Sequence, residues 1–83
     1  MSWKNLTPEE HDFLYVECES FKPDTTKDEY YQDIKRYLML CSWHFSEEGA
    51  EIRIQQNVHF IEQAFLDKEP VADIALDIGY SCG

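Results

Sequence analysis

The chain has 83 residues, which gives a single domain (1–83) near the small end of what folds without metal or disulfides. Seventeen Asp and Glu against seven Lys and Arg leave a formal net charge of −10, which repels nucleic acid and anionic membrane surfaces and attracts basic proteins. Three cysteines (Cys18, Cys41 and Cys82) do not form a paired disulfide framework, and no apolar run suits a signal peptide or a membrane span, so the cytoplasm is the expected location. Five Phe, five Tyr and two Trp supply large burial per residue. A real but thin core is expected, one that a partner or a homodimer contact would complete.

Trp3 and Leu6 are the large apolar groups of a short lead-in, and Thr7-Pro8-Glu9-Glu10 then starts a helix. Thr7 caps, Pro8 suits the first helical position, and Glu10 completes a capping box at the positive end of the helix dipole. The predicted helix covers 8–20, with Leu14, Cys18 and Phe21 along one edge and Phe13 and Val16 beside them. Pro23 breaks it by biasing Lys22 away from the helical region. Thr25 with Asp28, and Thr26 with Glu29, offer two overlapping capping boxes for the next helix.

That helix, predicted over 27–45, carries apolar residues at Tyr30, Ile34, Tyr37, Leu38, Cys41 and Phe45, in steps of three and four. A second row of Tyr31, Met39, Leu40 and Trp43 widens the stripe. A helix apolar over so much of its circumference has to be central, with others packed on two or three sides. Ser46-Glu47-Glu48-Gly49 reads as a new cap after a tight corner, opening a helix over 47–67 with Ile54, Val58, Ile61 and Phe65 in its stripe. In the last helix Pro70 takes a first-turn position and Val71, Ile74, Ala75 and Ile78 fall at i, i+3, i+4 and i+7. Gly79 follows where a left-handed C-cap belongs, with Tyr80 folding back over the final turn. With no strand pattern and no internal repeat, the expectation is an all-α fold: a small compact bundle of about four helices around the central one near 27–45.

Val71–Ser81, VADIALDIGYS, resembles a segment of AraC-type transcription regulators in which such a helix enters the turn of a helix-turn-helix. The resemblance covers eleven residues and rests on a small residue at Ala75, a glycine at Gly79 and an aromatic at Tyr80. It implies a regulatory domain of helix-turn-helix descent. In that family a recognition helix follows directly, whereas here only Cys82-Gly83 comes after, and Asp73 and Asp77 stand where phosphate contacts would need cations.

Cys41 and His44 are three apart and can share one side of a helix, half of a metal site. Cys82, His11 or His59 would have to complete it, so Cys41, His44 and Cys82 are only weak metal candidates and no cofactor is expected. A Cys within an apolar stripe is more often a small buried hydrophobe. Paired carboxylates such as Glu9-Glu10 or Glu47-Glu48 distinguish nothing in so acidic a chain, and the three scattered glycines make no phosphate loop. The chain reads as a non-enzyme.

What remains is the distribution of acid. Glu47, Glu48 and Glu51 crowd one corner, and Glu62, Asp67, Glu69, Asp73 and Asp77 run down the C-terminal third, opposed there by Arg53 and Lys68. Solvated helices usually alternate signs to gain i,i+4 pairs, so this asymmetry suggests a surface shaped to meet positive charge. The expected function is a protein-binding module whose acidic face covers the basic surface of a partner, such as a nuclease or nucleic-acid-binding protein, in the manner of an inhibitor, an immunity protein or a nucleic-acid mimic. Tyr15, Tyr31 and Trp43 are candidate aromatic anchors. A metal- or thiol-dependent accessory protein using Cys41, His44 and Cys82 is a further alternative.

The central-helix argument has a direct test. Leu38→Ala should cost about 2–5 kcal/mol in a urea titration. A loss below about 1 kcal/mol would mean that the wrong face has been placed inward.

Overall fold

The computed structural model describes residues 7–40 and 45–80, and all regular structure among them is helical. Thr7 opens α1 (Pro8–Tyr15) with a complete capping box: the Glu10 amide donates to Thr7 Oγ1 and the Thr7 amide to Glu10 Oε1, both at 3.1 Å. α1 is shorter than the predicted 8–20. Val16 turns away at φ −121° and a 3₁₀ turn (Glu17–Glu19) follows. β-branched Val16 is a weak helix former, and Pro23 lies close behind, so stopping here forfeits few hydrogen bonds. The turn carries Cys18 into the core and leaves Val16 62% exposed, so Val16 does not join the apolar stripe as predicted.

Of the two possible boxes, Thr26 and Glu29 form the one that starts α2 (Lys27–Leu40), through amide-to-side-chain bonds of 3.0 and 3.2 Å. Tyr30, Ile34, Tyr37 and Leu38 are buried, the face read from the periodicity. Arg36 lies over the Phe13 ring at 4.5 Å and fastens α1 to this helix by a cation–π contact. The helix does not continue to Phe45 as predicted. The Phe45 amide donates to the Leu38 carbonyl at 3.3 Å, where a continuing helix would use Cys41. Cys41 and Trp43, both predicted in this helix, lie outside the described residues.

Ser46 caps α3 (Glu47–Gln56), accepting from the Gly49 amide at 3.0 Å. The predicted single helix over 47–67 is in fact two, divided at Asn57. Its Nδ2 donates to the Arg53 carbonyl at 2.7 Å, the acceptor that the Asn57 amide would use in an unbroken helix. The amide takes Ile54 instead, at 3.0 Å, and φ −125° redirects the chain into α4 (Val58–Leu66). The described residues thus form five α-helices, against the expected count of about four, in the expected small all-α bundle. Ile54, Ile61 and Ala64 are buried, whereas Val58 and Phe65 are half-buried.

α4 ends in a Schellman motif: the Glu69 amide donates to Ala64 at 3.0 Å and the Lys68 amide to Phe65 at 3.1 Å. The motif needs a left-handed residue, and Lys68 takes that place at φ 60°, where glycine is usual. Pro70 then leads into α5 (Val71–Tyr80), which buries Val71, Ala72, Ile74, Ala75 and Ile78. Gly79 is helical, and no described glycine has positive φ, so the predicted left-handed cap there is absent. Glycine permits that conformation without imposing it, and Ile78, 1% exposed, keeps the last turn packed.

α2 is the hub, packed by α1, α3, α4 and above all α5. The Cα envelope of 37 × 28 × 17 Å is only two helix layers thick, which makes the core thin. At its centre Tyr30 packs edge-on to Phe65 (5.3 Å) and beside Phe21 (5.9 Å), and its hydroxyl donates to the Glu69 carbonyl at 2.8 Å. Burial, with Glu69 and Asp73 nearby, holds the phenol well above its ordinary pKa, so it remains a donor.

Three substitutions test this turn. Tyr30→Phe keeps the ring packing but strips the Glu69 carbonyl of its partner, and should cost about 1–3 kcal/mol in urea denaturation. Lys68→Gly should raise stability by about 0.5–1 kcal/mol through relief of the left-handed strain, net of the added chain entropy. Lys68→Ala, which removes the charge but keeps the strain, should change little.

Candidate functional site

α4 and α5 diverge from the turn at Asp67–Pro70. Both pack on α2 and make little contact with each other, which leaves a groove of about 390 Å³ between them. Phe60, Ala64 and Asp67 line one wall, spaced i, i+4 and i+7 along α4. Asp73, Ile74 and Asp77 line the other, and Glu69 lines the groove at the turn. The floor is apolar, since Ala64 and Ile74 are each 3% exposed. Phe60 (44%) and Leu76 (37%) leave large apolar surface open along it.

The rim is acidic. Among the described residues, no Lys or Arg forms an ion pair with Asp67, Glu69, Asp73 or Asp77. Asp67 Oδ1 accepts a single long hydrogen bond from Gln63 Nε2, at 3.3 Å. These carboxylates are therefore open to a cationic ligand.

Other members of the predicted acidic face have structural partners. Lys35 Nζ donates to Glu47 at 2.9 Å and to Glu51 at 2.8 Å, tying α2 to α3. The hydrogen bonds to Glu51 and then Glu47 hold the ammonium above its ordinary pKa, while Lys35 holds Glu47 below its own. Glu48 is exposed in the first turn of α3, where a carboxylate suits the helix dipole. Glu62 accepts from the Tyr31 hydroxyl at 3.3 Å, and burial followed by this carboxylate raises the Tyr31 phenol. The predicted set of eight thus separates into four groove residues and four that lie elsewhere.

Of the proposed aromatic anchors, Tyr15 is exposed but stacks on His11 at 4.7 Å outside the groove, and Tyr31 is half-buried against Glu62. Trp43 lies outside the described residues. Two further apolar residues, Phe60 and Leu76, line the groove and belong to no predicted stripe. Their signal was available: each is a large apolar group that falls off the buried stripe of its own helix.

Cys41, His44 and Cys82 all lie outside the described residues. Among those described, no group of three or more His, Cys, Asp or Glu is placed to hold a metal. Cys18 is 1% exposed, and burial, reinforced by Asp33, pushes its thiol up to about 12, which keeps it protonated and unreactive. A second hollow lies at Lys22, Pro23, Asp24, Glu29 and Asp33, but Lys22 is already paired with Glu17 at 3.0 Å. Burial lifts the Asp33 carboxyl above its usual range despite the opposing effect of Lys22. None of the described helices is long and apolar enough to cross a membrane.

Comparison with protein-family models, with curated proteins and with solved structures finds no match to this chain.

Proposed function

We propose that the protein is a binding module that engages a basic surface on a partner protein through the α4–α5 groove, and so blocks or regulates that partner. One observation carries this reading: four of the five carboxylates of the C-terminal third, Asp67, Glu69, Asp73 and Asp77, converge on one apolar-floored groove and form no ion pair among the described residues. Acid used for internal pairing sits elsewhere, on Lys35. Uncompensated rim charge steers encounter and selects partners of opposite sign, while the exposed apolar floor offers area to desolvate. The role proposed is binding, because exposed apolar surface flanked by carboxylates suits association with a cationic partner.

A short Lys- and Arg-rich peptide serves as the probe, followed by amide chemical shifts across the whole protein. The perturbations should concentrate on α4, α5 and the turn between them. Asp73→Lys with Asp77→Lys should weaken binding about tenfold or more, an effect of about 1.4 kcal/mol, with the helical circular dichroism retained. Added salt should weaken the wild-type complex in the same direction. Glu48→Lys, on α3, should leave affinity within about twofold. Shifts spread evenly over every acidic surface would overturn the assignment.

A further inference from the structure

Granting the reading above, the geometry points to a specific occupant: we infer that the groove takes one short amphipathic basic helix of the partner, apolar stripe inward, rather than an extended basic segment. The first reason is where the charge stands. Asp67 stands on the α4 side and Asp73 and Asp77 on the α5 side, with buried Ala64 and Ile74 as the floor and Phe60 and Leu76 each adding exposed apolar surface on its own wall. An occupant must therefore present an apolar stripe with cations on both flanks. An α-helix does this, because Lys or Arg beside its apolar positions can lay their stems along the walls and reach either rim. A strand does not, since its side chains alternate between two opposite faces and its cations would point away from the groove.

The second reason is the backbone. The walls are helices whose amides and carbonyls are engaged in their own ladders, so they offer no sheet edge to pair with. An extended segment pressed onto the apolar floor would leave its own amides and carbonyls without partners. A helix satisfies its own. Length agrees as well: Phe60 to Asp67 along α4 spans about 10 Å at the helical rise, room for two turns of an occupant with anchors at i, i+3 or i+4, and i+7. A second copy of this chain is a poor occupant, since each copy carries a net charge of −10 and would set acid against acid.

The test uses the whole protein and two synthetic peptides of identical composition and charge. One arranges Leu and Lys/Arg as an amphipathic helix, and the other redistributes the same residues so that no apolar stripe forms. The amphipathic peptide should bind at least about tenfold more tightly and gain helical circular dichroism on binding. Phe60→Ser with Leu76→Ser, both at exposed positions, should remove that advantage while leaving the redistributed peptide's affinity unchanged. Equal, salt-sensitive affinities for the two peptides would overturn the helix inference and leave the basic-partner reading standing. Failure of both peptides to perturb α4 and α5 would overturn the two together. Tight binding of the amphipathic peptide without induced helicity would also overturn the inference.

Discussion

The Tyr30 hydroxyl donates to the Glu69 carbonyl from inside the core, and this one bond joins the central helix to the turn from which α4 and α5 diverge. A buried tyrosine needs a partner for its hydroxyl, and a turn carbonyl facing the core needs a donor. Here the two needs meet. Around the same ring, Phe21 and Phe65 bring the segment after the 3₁₀ turn and the end of α4 against α2. The turn is also where Lys68 is held at φ 60°, and the surrounding bonds of the Schellman motif and Tyr30 offset that strain. The angle at which α4 and α5 separate, and hence the groove, depends on this junction.

Acid in this protein does two kinds of work. Glu47 and Glu51 share Lys35, and Glu10 and Glu29 complete capping boxes at the starts of α1 and α2. Each of these carboxylates has a local structural partner. Asp67, Glu69, Asp73 and Asp77 form no ion pair among the described residues, and they gather at one groove. Like charges at i and i+4, as at Asp73 and Asp77, weaken a helix slightly. α5 tolerates them because its stability comes from the opposite face, where Ala75 and Ile78 are packed against the core.

That division also bears on the segment resembling a helix-turn-helix. Ala75 is fully buried, as close helix packing requires, but Gly79 continues the helix and no turn occurs within the described residues of α5. The solvent side of the same helix carries Asp73 and Asp77 into the groove, a charge arrangement that repels phosphate.

Much of the helical content was legible in the sequence because it rests on local rules. Thr7 caps where its spacing to Glu10 predicts, Ser46 caps where Ser46-Glu47-Glu48-Gly49 reads as a new start, and the buried face of α2 follows from residues three and four apart. The boundaries misread were those where one local preference competes with another. At Asn57 a side-chain amide captures a backbone acceptor and splits a periodic stripe into two helices, and at Gly79 a permissive residue is overridden by the packing of its neighbour Ile78. The composition alone showed an excess of acid, and the order of residues set five carboxylates in the C-terminal third against one cation there, Lys68. Which carboxylates are paired and which are left open was decided only by tertiary structure, because Lys35 meets Glu47 and Glu51 across two helices, and Asp67 meets Asp73 and Asp77 across a turn. Distances between elements are set by packing on α2, and no periodicity within one helix encodes them.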